Sequence, residues 1–316
     1  MNKPACRSAF LIIYLGKLPG YFDFWAKTCA PNHDTCHWFV YNDHIRERTE
    51  YNKAVTIVPY TFEALRSDMA SKAGIHIPDR NTRIVCDCRV MLYLLRKAED
   101  HLDQYDFIGY SDIDVVYGRI NDFLPENPTG YALISAHEHR PCGPFTLFNR
   151  TYLGQILSDP RIKTYLEYNF GNQVYDSAAY AEAESAFKPV SGNRQKDQIR
   201  DQTDFKHLDE SDELVDIAAQ FAPVFCNPES LQPTMTKGFN HRKAIAFWNR
   251  GRLTIFDNLG HKREGAFFHF SRFKNRKRFK VNPDVLPADH IGIYKYGFIA
   301  YKSPWTFIKL FLTMLY

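Results

Sequence analysis

Two acids one residue apart, Asp112 and Asp114, stand between apolar runs in the segment Phe107-Ile108-Gly109-Tyr110-Ser111-Asp112-Ile113-Asp114-Val115-Val116-Tyr117-Gly118. If the segment is a strand, alternation puts both carboxylates on one side, facing one ligand. Two like charges that close raise each other's pKa unless a cation lies between them. Hard carboxylate oxygens suit Mg²⁺ or Mn²⁺, and such an ion bridges readily to a diphosphate. The plain alternative is an edge turn with two solvated acids, and the apolar flanks argue against it.

Further along, His269 lies inside the aromatic run Ala266-Phe267-Phe268-His269-Phe270, just ahead of Arg272, Lys274, Arg276, Lys277, Arg278 and Lys280. A lone imidazole in such a strand is most often a satisfied core group. Its position against a basic run suggests more: histidine can complete a metal shell begun by carboxylates, and a following lysine can neutralise phosphates. The acidic stretch Asp204 to Glu213 either decorates a solvated helix start near Ser211 or supplies a carboxylate to a substrate hydroxyl. Asp209 and Glu210 are its candidates for a catalytic base.

These groups need a frame, and the first hundred residues supply a pattern for one. Phe10 to Tyr14, His37 to Tyr41 and Ala54 to Val58 read as strands, with helical spacing over 22–29, 62–71 and 90–101 between and after them. Such alternation predicts an α/β fold with parallel strands covered by helices. Ligands on such sheets sit at the carboxyl ends of the strands, where Gly16, Asp43 and the Asp112/Asp114 pair all fall. Residues 131–135 and 145–148 read as further strands, and 244–256 as a hairpin turning at Asn249-Arg250-Gly251. The polar stretch from about 160 to 205 reads as a helical or irregular insertion suited to contacts with a second substrate.

Composition narrows the function classes. The 316 residues suit one large α/β domain, with hydrophobic residues at 45% and charged residues at 24%. A net charge of +4 argues against a dedicated nucleic-acid binder. Seven cysteines, an odd number without disulfide spacing, fit a reducing cytosol. Cys29, His33, Cys36 and His37 match no standard zinc finger. The apolar run Ala9 to Leu15 is cut short by Gly16-Lys17 and reads as a first strand rather than a signal peptide. The C-terminal run from Pro304 to Tyr316 is too short to span a bilayer. As a helix it either packs on the domain or lies in a membrane interface, with the 272–280 basic run as a second peripheral contact.

Taken together, the acid pair, the downstream His and Lys and the α/β first half resemble a GT-A-type glycosyltransferase. More narrowly, the chain resembles a bacterial family associated with capsule, O-antigen and similar surface-polysaccharide loci. The matching segments are Tyr14-Leu15-Gly16-Lys17 with Pro19 to Phe22, the strand ending Asn42-Asp43, Cys86-Asp87, residues 107–118, Cys142 to Leu147, Asp209-Glu210 and Phe268 to Phe270. Two departures stand out. Pro144 replaces an expected histidine, and Asn81-Thr82-Arg83 replaces a lysine-centred run, leaving Arg83 or Arg89 as the basic contact.

The resemblance implies a Rossmann-like GT-A domain over 1–285, with a mixed central sheet, a nucleotide-sugar-binding half at about 8–120, an acceptor half at about 121–285 and a tail at 286–316. It implies Mn²⁺ or Mg²⁺ held by Asp114, Asp112 and His269. Tyr14, Gly16, Lys17, Asp43, Asp87, Arg89, Asp112 and Lys274 would meet the donor, a uridine one being expected. Gly143, Phe145 and Thr146 would meet a glycan or lipid-linked acceptor. The implied setting is cytoplasmic, peripheral at the inner face of the membrane. Two rivals remain: a haloacid-dehalogenase-type phosphatase, whose motif normally continues differently from Val115-Val116, and an inactive nucleotide-binding partner of a glycan assembly complex.

Overall fold

The computed structural model describes residues 6–78, 84–167, 170, 212–233, 244–274 and 279–301. Its frame is an eight-stranded mixed sheet built from β1 (Ser8–Ile13), β2 (Cys36–Asn42), β3 (Thr49–Asn52), β4 (Val55–Pro59), β5 (Phe107–Ser111), β7 (Leu133–Ser135), β8 (Phe145–Asn149) and β9 (Val224–Cys226), in the order β3-β4-β2-β1-β5-β8-β7-β9. Strands β4, β2, β1 and β5 run parallel, as the alternating pattern predicts, and β3 and β8 run antiparallel to their neighbours. The short strand β6 (Val115–Tyr117) leaves this sheet and pairs with β13 (Phe267–His269).

A second, six-stranded sheet contains β10 (Ile245–Asn249), β11 (Arg252–Phe256), β12 (Lys262–Glu264), β14 (Lys280–Val281), β15 (His290–Tyr294) and β16 (Gly297–Ala300). Strands β10 and β11 form the expected hairpin, with Arg250 and Gly251 both at positive φ, as a two-residue turn of this hand needs. Strands β15 and β16 carry this sheet through residue 300, inside the segment expected to be a tail from 286. Residues 302–316 lie outside the described residues.

Period-two alternation decides what packs on each face of the large sheet. Phe10, Ile12, Trp38, Val40 and Phe107 face α1 (Phe22–Cys29) and the second sheet. Ala9, Leu11, Phe39, Tyr41 and Ile108 face the other side. There they meet α2 (Phe62–Asp68), α3 (Ile84–Cys88), α4 (Leu92–Arg96), α5 (Arg150–Leu157) and α6 (Asp212–Ala219). A short helix, α7 (Pro228–Leu231), precedes the second sheet, and α8 (Ser271–Lys274) follows β13. The helix expected over 90–101 starts earlier and ends sooner, broken by a 3₁₀ turn at Arg89–Met91.

Two close approaches hold the central strands in place. A Cβ on Gly109 would come within 2.0 Å of the Thr146 carbonyl oxygen, and one on Gly118 within 2.6 Å of that of Gly265. Between β6 and the second sheet, the Trp248 indole donates to the Tyr117 carbonyl at 2.9 Å. Lys27 of α1 donates to the Ala288 carbonyl at 2.6 Å, so the first helix is tied to the same sheet.

Candidate metal centre

Strand β5 ends at Ser111 and β6 begins at Val115, so the acid pair occupies a bend between two strands rather than one continuous strand. This corrects the alternation argument, though not its outcome. The bend turns the chain out of the large sheet, and both carboxylates still converge. Pairing of β6 with β13 sets His269 opposite Val115, next to Asp114. The Phe270 N–H donates to the Asp114 carbonyl at 3.0 Å and closes the corner. The single turn of α8, anchored by buried Phe273, then brings Lys274 back to Asp114.

The two carboxylates share a common arrangement. Asp112 Oδ1 accepts from Arg89 at 2.7 Å, while Oδ2 lies 3.9 Å from His269 Nε2. Asp114 Oδ2 meets Lys274 Nζ at 2.7 Å, while Oδ1 lies 3.4 Å from the same imidazole nitrogen. Each acid therefore gives one oxygen to a cation and turns the other toward His269. One ligand atom from each of Asp112, Asp114 and His269 lies within 4.8 Å of the others, the one group of this kind among the described residues. Two hard oxygens and one imidazole nitrogen form a donor set that fits Mn²⁺ or Mg²⁺. Cys29, His33, Cys36 and His37 form no such group. Cys29 and Cys36 are buried, and burial pushes both thiols up, Cys36 to about 12.

The charges in the centre act on one another across a few ångströms. Burial alone would push the Asp114 carboxyl up, but His269 and Lys274 outweigh it and hold it well below the usual range. Burial would push the His269 imidazole down, yet Asp114 and then Asp112 raise it. Arg89 loses solvent too, and Asp112 more than restores its charge. The guanidinium also lies 4.9 Å from the Tyr110 ring centroid, which fixes its direction.

The other residues singled out in the sequence divide into groups. Tyr14, Gly16 and Lys17 follow β1, and Asp43 follows β2, on the same sheet edge as the acids. The Gly16 N–H donates to Asp43 Oδ1 at 2.6 Å, at a φ of +102° and with nothing within 4 Å of where a Cβ would stand. Buried Asn42, matched in the sequence only at the end of a strand beside Asp43, donates to the Tyr14 and Gly16 carbonyls and braces that loop. Tyr21, matched in the sequence only within Pro19 to Phe22, was given no role there. It packs edge-on to Phe270 at 5.1 Å, and burial together with Asp114 raises its phenol. Only its place behind Pro19-Gly20 could have marked it.

Asp87 has no exposed surface. Gly143, Phe145 and Thr146, expected at the acceptor, are buried in this structure. Strand β8 is paired on both edges by β5 and β7, and its faces are covered by the two cores, Phe145 and Leu147 in one and Phe148 in the other. Phe145 stacks on Phe267 at 5.3 Å, and the Thr146 hydroxyl accepts from the Cys142 N–H and donates to the Cys142 carbonyl. Arg83, Asp209 and Glu210 lie outside the described residues.

Comparison with known proteins places the chain in a family. The family described as "Family of unknown function (DUF6625)" matches residues 10–302, and the chain belongs to it. No curated protein matches the chain.

Proposed function

We propose that this member of the family is a metal-dependent glycosyltransferase of GT-A type. In this reading it moves a sugar from a nucleoside-diphosphate donor, a uridine one being expected, to a glycan or lipid-linked acceptor of a bacterial surface polysaccharide. The observation that carries the reading is the convergence of Asp112, Asp114 and His269, with Lys274 and Arg89 against them, at the carboxyl edge of parallel strands.

Asp112, Asp114 and His269 would hold Mn²⁺ or Mg²⁺, which when bound supplies Lewis-acid charge to a diphosphate. Lys274 and Arg89 place fixed positive charge where negative charge grows on the departing nucleoside diphosphate. Gly16 leaves room for the donor to approach the backbone, while Asp43 holds the Gly16 amide in position. Lys274 holds one oxygen of Asp114 and His269 faces the other, a poor arrangement for the nucleophile that a phosphatase would need. Among the described residues no helix is long and apolar enough to cross a membrane. Work at the cytoplasmic face of the membrane therefore belongs to the proposal through the tail and the basic run.

The test is a thermal-shift screen of nucleotide sugars with and without Mn²⁺, followed by transfer assays on the hits. A donor with Mn²⁺ should stabilise wild type and leave Asp114→Asn unmoved. An equal response in the variant would count against the site.

A further inference from the structure

Burial of Phe145 and Thr146 leaves the acceptor side of the site without the contacts expected there, and the sheet register shows what stands in their place. Strand β7 runs parallel to β5, since both are antiparallel to β8. Tyr110 and Ser135 both pair with Thr146, so β7 ends level with β5 on the edge that carries the metal centre. Two strand spacings separate them, roughly 10 Å, about the width of a sugar ring with its substituents. The loop between β7 and β8, residues 136–144, therefore rims the space beside Asp112.

That loop is held in shape by its own hydrogen bonds. The Ser135 hydroxyl donates to the Arg140 carbonyl at 2.7 Å and accepts from the His137 N–H at 3.2 Å. Thr146 fastens its far end at Cys142, and Ser111, the residue before the acid pair, donates to the Pro144 carbonyl. Arg140 Nε donates to His137 Nε2 at 3.2 Å, which orients the guanidinium. Its terminal nitrogens make no hydrogen bond or ion pair with any described residue, and the side chain is half-buried, a fork oriented at Nε. A planar fork of this kind pairs bidentately with a carboxylate or phosphate.

We propose that Arg140, oriented by His137, is a specificity residue for an anionic acceptor, a sugar carrying a carboxylate or phosphate next to the hydroxyl that is glycosylated. The proposal rests on the glycosyltransferase reading, because it is that reading which makes this rim an acceptor site.

Binding of methyl glucuronide, glucose 6-phosphate and neutral methyl glucoside can be compared by ligand-observed NMR, with and without Mn²⁺ and UDP. The full-length wild type should bind at least one anionic ligand roughly tenfold more tightly than the glucoside. Arg140→Gln should reduce that ligand to the level of the glucoside. Arg140→Lys should restore only part of the preference, because a point charge cannot reproduce the fork. Which anionic ligand wins separates carboxylate from phosphate. Equal binding of all three by wild type, or an anionic preference that survives Arg140→Gln, would overturn the proposal. UDP affinity measured by calorimetry on the same samples reports on the donor site. Normal Mn²⁺-dependent UDP binding with no anionic preference sinks this inference alone, whereas absent UDP binding sinks the parent reading.

Discussion

Replacing Lys274 with methionine should weaken the metal-free protein and strengthen its hold on Mn²⁺, two effects of opposite sign from one side chain. In the metal-free state the ammonium sits 2.7 Å from Asp114 Oδ2, and the Asp114 carboxylate is almost wholly buried. A hydrogen bond between charged groups contributes about 1.5–3 kcal/mol. The Lys274 side chain is 35% exposed and His269 still faces the other oxygen, so the lower end applies. A loss of about 1.5 kcal/mol lowers Tm by roughly 2 °C in a protein of 316 residues. Once the ion is present the same charge opposes it. A unit charge about 5 Å from a divalent cation repels it by about 1.7 kcal/mol even at the dielectric of water, so its removal should raise affinity more than tenfold. Differential scanning fluorimetry and calorimetry with MnCl₂ read both effects. Lys274→Met should melt earlier without metal, gain more than wild type on adding Mn²⁺, and turn over roughly a hundredfold more slowly for want of charge on the leaving group. Mn²⁺ affinity that is unchanged or weaker in the variant would show that Lys274 and the ion do not share Asp114.

Three other outcomes follow from separate parts of the molecule. Gly109→Ala drives a Cβ into the Thr146 carbonyl and should cost about 3 kcal/mol or more, read as a large fall in the urea midpoint. Gly16→Ala has room but must hold φ at +102°, so it should lose about 1–2 kcal/mol of stability and a larger share of donor affinity, read by calorimetry with UDP. Burial, with Arg48 and Arg7 behind it, pushes the His37 imidazole down to about 4, so His37 favours folding above pH 6.5 and that contribution is lost as pH falls toward 4. Between pH 7 and pH 5, wild type should lose about 1–2 kcal/mol more than His37→Gln, measured by urea unfolding.

What the sequence revealed and what it hid have different physical origins. Buried parallel strands such as Phe10 to Tyr14 and Trp38 to Tyr41 are continuous apolar runs, and their carboxyl ends mark a ligand edge without any knowledge of pairing. The cluster of Asp112, Asp114 and His269 was legible because its residue types are scarce in apolar surroundings. The bend at Asp112 was not, since Val115 to Tyr117 continues the apolar run of β5 and only pairing with distant β13 pulls it away. The burial of Phe145 and Thr146 was hidden for a similar reason. Polar and aromatic residues in a short strand look available until neighbours on both sides are known. The second sheet is assembled from short strands within residues 245–300, and the sequence marked only its β10–β11 hairpin, because β10 pairs with β15 across the intervening segments.

Manganese-edge anomalous diffraction from crystals soaked in MnCl₂ and UDP tests the central claim most directly. The account requires one manganese peak enclosed by Asp112, Asp114 and His269 and in contact with the UDP diphosphate. A peak elsewhere, or UDP bound with these three side chains unengaged, would contradict it.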